Sequence, residues 1–161
     1  MSNTMATDQL KLAQQNLEFE SLFQNSVQAE LMNDFEPKQT ITAKNSLNIQ
    51  FRHAVTSSMV LEITNQNAQY KIFRVKITVG LRYLKAKNNQ DVVAKIEANY
   101  SIDYLVQNEE LLNNQDALDE FALKNASYHL WPFWREFAMA QAQRMSLPPV
   151  ALPMRLPVEA K

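Results

Sequence analysis

The sequence has 161 residues, enough for one domain with a real core, and its 46% hydrophobic and 20% charged content is that of an ordinary folded protein. Net charge is −1, from 16 basic and 17 acidic residues with no basic block, which argues against nucleic-acid binding driven by phosphate neutralisation. Cysteine is absent, so disulfides, thiol nucleophiles and thiolate metal sites are excluded, as suits a reducing cytoplasm. The single glycine, Gly80, leaves no material for phosphate-cradling loops or dinucleotide fingerprints. The opening MSNTMATDQL lacks the basic segment and apolar run of a signal peptide. No window approaches the roughly 20 apolar residues of a membrane span, so no membrane insertion is expected.

In chain order, residues 1–8 are polar and are expected to form a flexible N-terminus. From Gln9 the pattern is ambiguous. Leu10/Leu12 and Leu17/Phe19 alternate like strand residues, while Leu12, Ala13, Leu17 and Phe23 could mark a helical face. NDFEPK (33–38) reads as a turn, because Pro37 biases Glu36 away from helix. Ile41 and Ala43 follow, and then Leu47, Ile49 and Phe51 alternate with Asn48, Gln50 and Arg52 as in a half-buried strand.

FRVKITVGLRYL (73–84) alternates fully: Phe73, Val75, Ile77, Val79, Leu81 and Tyr83 share one face, with Arg74, Lys76, Thr78 and Arg82 on the other. After a loop at KNNQD (87–91), Ile96, Ala98, Tyr100, Ile102, Tyr104 and Val106 point to the core and Lys95, Glu97, Asn99, Ser101 and Asp103 away from it. Two such runs around a short loop form an antiparallel pair. Gly80 falls among the polar positions of its strand, where a bulge or a close neighbour would suit it, although a small residue under a packed element is the plainer reading.

From Asp116, a candidate N-cap, the period becomes helical through Leu118, Phe121, Ala122, Ala126, Phe133, Phe137 and Ala140. The apolar stripe is wide enough for packing on two sides, a sheet and a second subunit. Leu130, Trp131, Phe133, Trp134 and Phe137 are its candidate packing and interface residues. Pro132 removes a backbone hydrogen bond and predicts a bend, with helical pieces at about 116–130 and 132–146. SLPPVALPMRLP then places four prolines in twelve residues, so it can neither continue a helix nor sit inside a sheet. Its Leu147, Val150, Leu152 and Met154 either bury on the domain or line a surface for apolar partners.

No catalytic constellation emerges, and no enzyme, cofactor or metal site is expected. His53 and His129 lack a nucleophile or metal-ligand spacing, and His129 sits in an aromatic helix where packing explains it. Glu109–Glu110 and Asp119–Glu120 suit helix starts and solvated loops. Glu97 and Asp103, on the outward strand face, could dock a basic partner, although a solvated face is the plainer reading. Arg135 is expected to form an ion pair or to stack on Trp131 or Trp134. Met139 and Met145 read as core filler, and Met154 as a surface residue.

The stretch NASYHLWPFWREFAMAQAQRMSLPPVALP resembles the SecB-like protein-export chaperones. They carry an asparagine, an aromatic–proline–aromatic step, an arginine–glutamate pair and a helix ending in R-x-x-x-P-x-L-x-L. The matching positions are Asn125, Trp131-Pro132-Phe133, Arg135-Glu136, Arg144, Pro148 or Pro149, Val150 and Leu152. QLKLAQQNLEFES resembles the family's first strand, DFEPK the turn before its second, and KIFRVKITVGL its third. The resemblance implies an α+β fold, with a four-stranded antiparallel sheet packed by a long kinked C-terminal helix, in one domain over 9–156 with a short tail at 157–161.

It implies further an ATP-independent holdase that takes unfolded or pre-secretory polypeptides into apolar grooves and assembles with itself as a dimer or tetramer. By position, Leu147, Pro148, Pro149, Val150, Leu152 and Met154 would form a groove wall. The translocation motor ATPase is an implied partner, although the family's second helix and acidic tail are not matched by RLPVEAK. An antitoxin of a toxin–antitoxin pair is the alternative client. A reading of another class is a small-molecule-binding α+β domain, which requires convergent polar groups inside a cavity. The inward positions named above are nearly all apolar.

Overall fold

A computed structural model describes residues 2–32, 34–40 and 47–154. Helix α1 (Ser2–Asn16) leads into strand β1 (Leu17–Leu31), and β2 (Leu47–Asn65), β3 (Ala68–Lys85) and β4 (Asn88–Val106) follow. Short helix α2 (Gln115–Phe121), a π-helical stretch (Ala122–Ala126) and α3 (Ser127–Arg144) complete the order. The four strands form an antiparallel sheet in the order β1-β4-β3-β2, so β1 and β2 are its edges. The expected strand positions Ile41 and Ala43 lie outside the described residues.

A strand beginning near Gln9 is corrected by this structure, since residues 9–16 are helical. Ala13 is fully buried and Leu17 nearly so while Leu12 is 40% exposed, so the buried side follows helical spacing and not alternation. Asn16 Nδ2 donates to the Leu12 carbonyl at the helix end, and β1 starts at the next residue. The β3–β4 loop is shorter than expected, because a two-residue turn at 86–87 already passes the chain into β4. A polar sequence does not stop the backbone ladder from forming.

The described residues divide into two compact units, and each strand contributes to both. The first comprises residues up to Phe23, Val55–Ile77 and Tyr100–Leu130. Its core joins Phe73, Val75 and Ile77 of β3 to Tyr100, Ile102 and Tyr104 of β4, with Leu118, Phe121 and Leu130 from the helices. Tyr104 packs edge-on against Phe121 at a centroid distance of 4.7 Å. Asn114, not Asp116, caps α2: its side chain accepts from Ala117 N at 3.1 Å, and Asp116 falls in the first turn. Gln9 and Gln14 of α1 bond Asn114 and Asn125, tying α1 down.

The second unit comprises Gln24–Ala54, Thr78–Asn99 and the chain from Trp131. Its buried apolar residues are Val79, Leu81, Tyr83 and Leu84 of β3, Val93, Ala94, Ile96 and Ala98 of β4, and Trp134, Ala138 and Ala142 at i, i+4 and i+8 of α3. Gly80 is buried here, and a Cβ on it would stand 3.2 Å from Glu97 Cγ.

Pro132 does not separate two helices. It lies inside α3 on the exposed side, where a carbonyl deprived of its donor can be hydrated. The irregularity falls ten residues earlier, in the π-helical stretch that begins at Ala122.

Candidate functional site

The site is built at the end of α3. Met145 N bonds the Gln141 and Ala142 carbonyls, Ser146 N bonds Gln143 O at 3.0 Å, and Leu147 N returns to Ala142 O at 3.0 Å. Ser146 adopts φ 55°, the left-handed cap conformation that reverses the chain and is usually given to glycine. Prolines at 148, 149 and 153 then hold residues 147–153 extended, as an arm with no helix or strand of its own.

The arm runs back along α3. Tyr83 Oη donates to the Pro148 carbonyl at 3.3 Å, Arg135 Nε to Leu152 O at 3.0 Å, and Trp131 Nε1 to Pro153 O at 2.8 Å. As the arm advances its partners on α3 step back, so the two run antiparallel. Burial pushes the Tyr83 hydroxyl up to about 12, which keeps it a neutral donor at physiological pH. Leu147, Val150 and Leu152 are 6%, 5% and 3% exposed and anchor the arm by burial.

Between α3 and the arm lies a groove of about 930 Å³. Met139, Ala140, Leu147, Pro148, Pro149 and Val150 make its apolar lining, while Arg135, Glu136, Gln143 and Ser146 supply the polar groups. One cation and one anion leave the lining without net charge. A mostly apolar cleft with few polar groups suits apolar ligands, and no catalytic pair converges in it. No group of three or more His, Asp or Glu among the described residues could hold a metal ion.

The expected groove wall is therefore divided. Leu147, Pro148, Pro149 and Val150 line the groove; Leu152 is an anchor outside its lining, and Met154, 82% exposed, stands beyond it. Met139 is not core filler: it is 37% exposed and lines the groove, as do Ala140 and Gln143. The spacing of 136, 139, 140 and 143 places them on one helical face, but only the return of the arm makes that face a wall.

The aromatic cluster also divides. Leu130 is buried in the first unit, and Trp131 and Trp134 in the second, where Phe137 lies 6.1 Å from the Trp134 ring. Phe133 is 52% exposed. Arg135 is expected to form an ion pair or to stack; among the described residues its guanidinium bonds a carbonyl of the arm instead, Nε to Leu152 O.

Glu97 and Asp103 are corrected as well. Asp103 is only 6% exposed, and both of its carboxylate oxygens take the Arg74 guanidinium at 2.7 Å, with the Phe23 ring 5.1 Å away. Glu97 is paired with Arg82 at 3.1 Å. Ser101 is also fully buried, so the outward face of β4 is covered at this end and offers Asp103 no free charge for docking. Alternation in sequence distinguishes the two faces of a strand but not whether the second is wet.

His129 sits with aromatic rings, as its sequence context predicts. Its Nδ1 is 2.8 Å from Tyr104 Oη, Phe19 and Tyr128 approach edge-on, and burial lowers its pKa.

No protein-family model matches this chain, and comparison with curated proteins finds none similar to it. Comparison of structures does. A SecB-like chaperone of Mycobacterium tuberculosis, Rv1957, in complex with a ChAD peptide from the Rv1956 HigA1 antitoxin, superposes with a TM-score of 0.62 at 17% identity, covering 92% of this chain and 98% of that one. The fold is SecB-like. A Streptococcus agalactiae protein of unknown function covers 86% of this chain and 97% of its own at 15% identity, with a TM-score of 0.34. Within this SecB-like fold, the groove stands where α3 ends and the proline arm returns.

Proposed function

We propose that this protein is a chaperone that holds non-native polypeptide without a nucleotide. The observation that carries the reading is the largely apolar groove without net charge between α3 and the arm. A groove of this kind lowers the free energy of exposed apolar side chains by taking them out of water, roughly 25 cal/mol per Å². The lone glycine of the sequence leaves no phosphate loop with which to couple that binding to a nucleotide. The likeness in fold to a SecB-like chaperone supports the reading. Pre-secretory polypeptides are the proposed general clients and the cytoplasm the proposed compartment, with the translocation motor ATPase as a partner.

A second reading is favoured by one observation: the similar structure holds an antitoxin peptide. Here the protein would serve a single antitoxin and keep it from aggregating. The assembly proposed under either reading is a homo-oligomer, a dimer or tetramer, joined through exposed apolar residues of the edge strand β1.

The test is suppression of aggregation. A chemically unfolded client diluted into buffer without ATP is expected to scatter less light as the protein is added, and Met139→Glu is expected to lose most of this effect. Unchanged aggregation at a molar excess of protein sinks the holdase reading. Suppression confined to an antitoxin, with unrelated clients unprotected, selects the dedicated role.

A further inference from the structure

Helix α1 is weakly attached to the unit it belongs to. Of its side chains at 7–16, Ala13 alone is fully buried, and alanine takes less surface out of water than any larger apolar residue. Its bonds to the neighbouring helices are neutral amide pairs. Gln9 Oε1 accepts from Asn114 Nδ2 at 2.7 Å, and Gln14 Nε2 donates to Asn125 Oδ1 at 3.0 Å. Such pairs exchange for water at little cost.

Nor does α1 support itself. It is 15 residues long, with no acidic residue in its first turn and no basic residue in its last to offset the helix dipole. Its C-terminal end, by contrast, is fixed. The Asn16 carbonyl accepts from Gln107 N at 2.9 Å, and β1 begins at the next residue. The junction of 16 and 17 is therefore the hinge on which the helix can lift.

The seat of α1 is apolar. The helix packs on α2 and on the short 3-10 turn before it (Glu109–Asn113), where Leu111, Ala117 and Leu118 are 3%, 0% and 3% exposed. Leu123 and Tyr128, each 59% exposed, flank Asn125 in the chain and so border the seat.

We infer that α1 is a detachable strap, and that its seat takes an amphipathic helical segment of a non-native polypeptide once the strap has lifted. What lies there now sets the occupant: the seat accommodates a helix, and the side-chain amides of Asn114 and Asn125 receive its polar flank. A client helix with leucine or phenylalanine where α1 has alanine removes more apolar surface from water and displaces it. The inference rests on the holdase reading and adds a covered surface that shares no residue with the groove of α3 and the arm.

The chain has no cysteine, so Gln14→Cys with Asn125→Cys gives a single pair that a reducible bismaleimide can bridge. The pair is made in a Met139→Glu background, which spoils the groove. The probe is a fluorescent peptide of about the length of α1 with leucine at helical spacing, read by anisotropy. Bridging is expected to weaken its binding about tenfold or more, and reduction of the bridge to restore it. Ala13→Glu sets a charge in the buried position and is expected to free the strap and tighten the peptide about fivefold. The bridge decides even where Ala13→Glu fails to fold. In unmodified protein the α1 amides are expected to exchange with solvent at least about a hundredfold faster than those of Ala138 and Ala142 in α3.

Equal affinity with the bridge closed and open overturns the inference, as does exchange in α1 as slow as in α3. If wild-type protein then still suppresses aggregation, the holdase reading stands without the strap. Bridge-sensitive binding with no protection of any client upholds the strap and removes the holdase reading.

Discussion

Burial of His129 against Tyr104 and Phe19 disfavours its imidazolium form in the folded state. Its folded pKa lies below the ordinary 6.5. The contribution to stability is then fully present above the unfolded value and is lost as pH falls from there through the folded pKa, because the unfolded chain takes up the proton first. The urea midpoint is expected to drop between pH 7 and pH 5, and His129→Gln, which retains an acceptor for Tyr104, to drop less. An equal fall in both proteins would show that other groups control acid sensitivity. Part of this site is legible in the sequence: an imidazole among aromatic residues of a helix implies packing. Its hydrogen-bond partner, on β4, is not. Asp103 shows the same limit, because strict alternation with Ile102 and Tyr104 gives its side of the strand but not the Arg74 guanidinium that covers it.

For the arm, the elements to weigh are the three buried aliphatic side chains and the three bonds to its carbonyls. Each such bond contributes about 1 kcal/mol net, and Leu152 more, since large-to-small changes at buried leucine cost about 2–5 kcal/mol. Leu152→Asp would leave a carboxylate in an apolar site and is expected to detach the arm. The Trp131 indole then loses its Pro153 partner, giving red-shifted, quenchable emission, whereas Met139→Glu should leave the spectrum unchanged. An unshifted spectrum in Leu152→Asp would mean that the arm is held by the carbonyl bonds alone. The proline spacing announces an extended arm in the sequence, but which residues it buries depends on its reversal at Ser146. Nor could the sequence reveal the π-helical stretch: it adds about one residue to a turn, a shift too small to disturb the apolar period of 118, 121, 122, 126 and 130.

The antiparallel sheet was legible because alternation is a local signal, whereas the identity of its edges depends on pairing between β1 and β4, which are far apart in the chain. That topology gives β1 its significance. Fifteen residues pair on one side only, and Phe19, Phe23, Val27 and Leu31, all at odd positions, are 45%, 38%, 45% and 38% exposed. A long edge strand with apolar side chains is a template for pairing unless something covers it, and charged gatekeepers are the usual protection. Here Glu18, Glu20 and Glu30 sit at its ends, and 21–29 carries no charge at all. If a second copy covers this stretch, light scattering should report at least twice the monomer mass at micromolar concentration. Val27→Lys together with Leu31→Lys places two like charges on the edge and should shift the mass to that of a monomer, with circular dichroism unchanged because both side chains are exposed. A wild-type protein that is already monomeric at tens of micromolar would refute assembly through β1, and a mutant that remains oligomeric would move the interface to another surface.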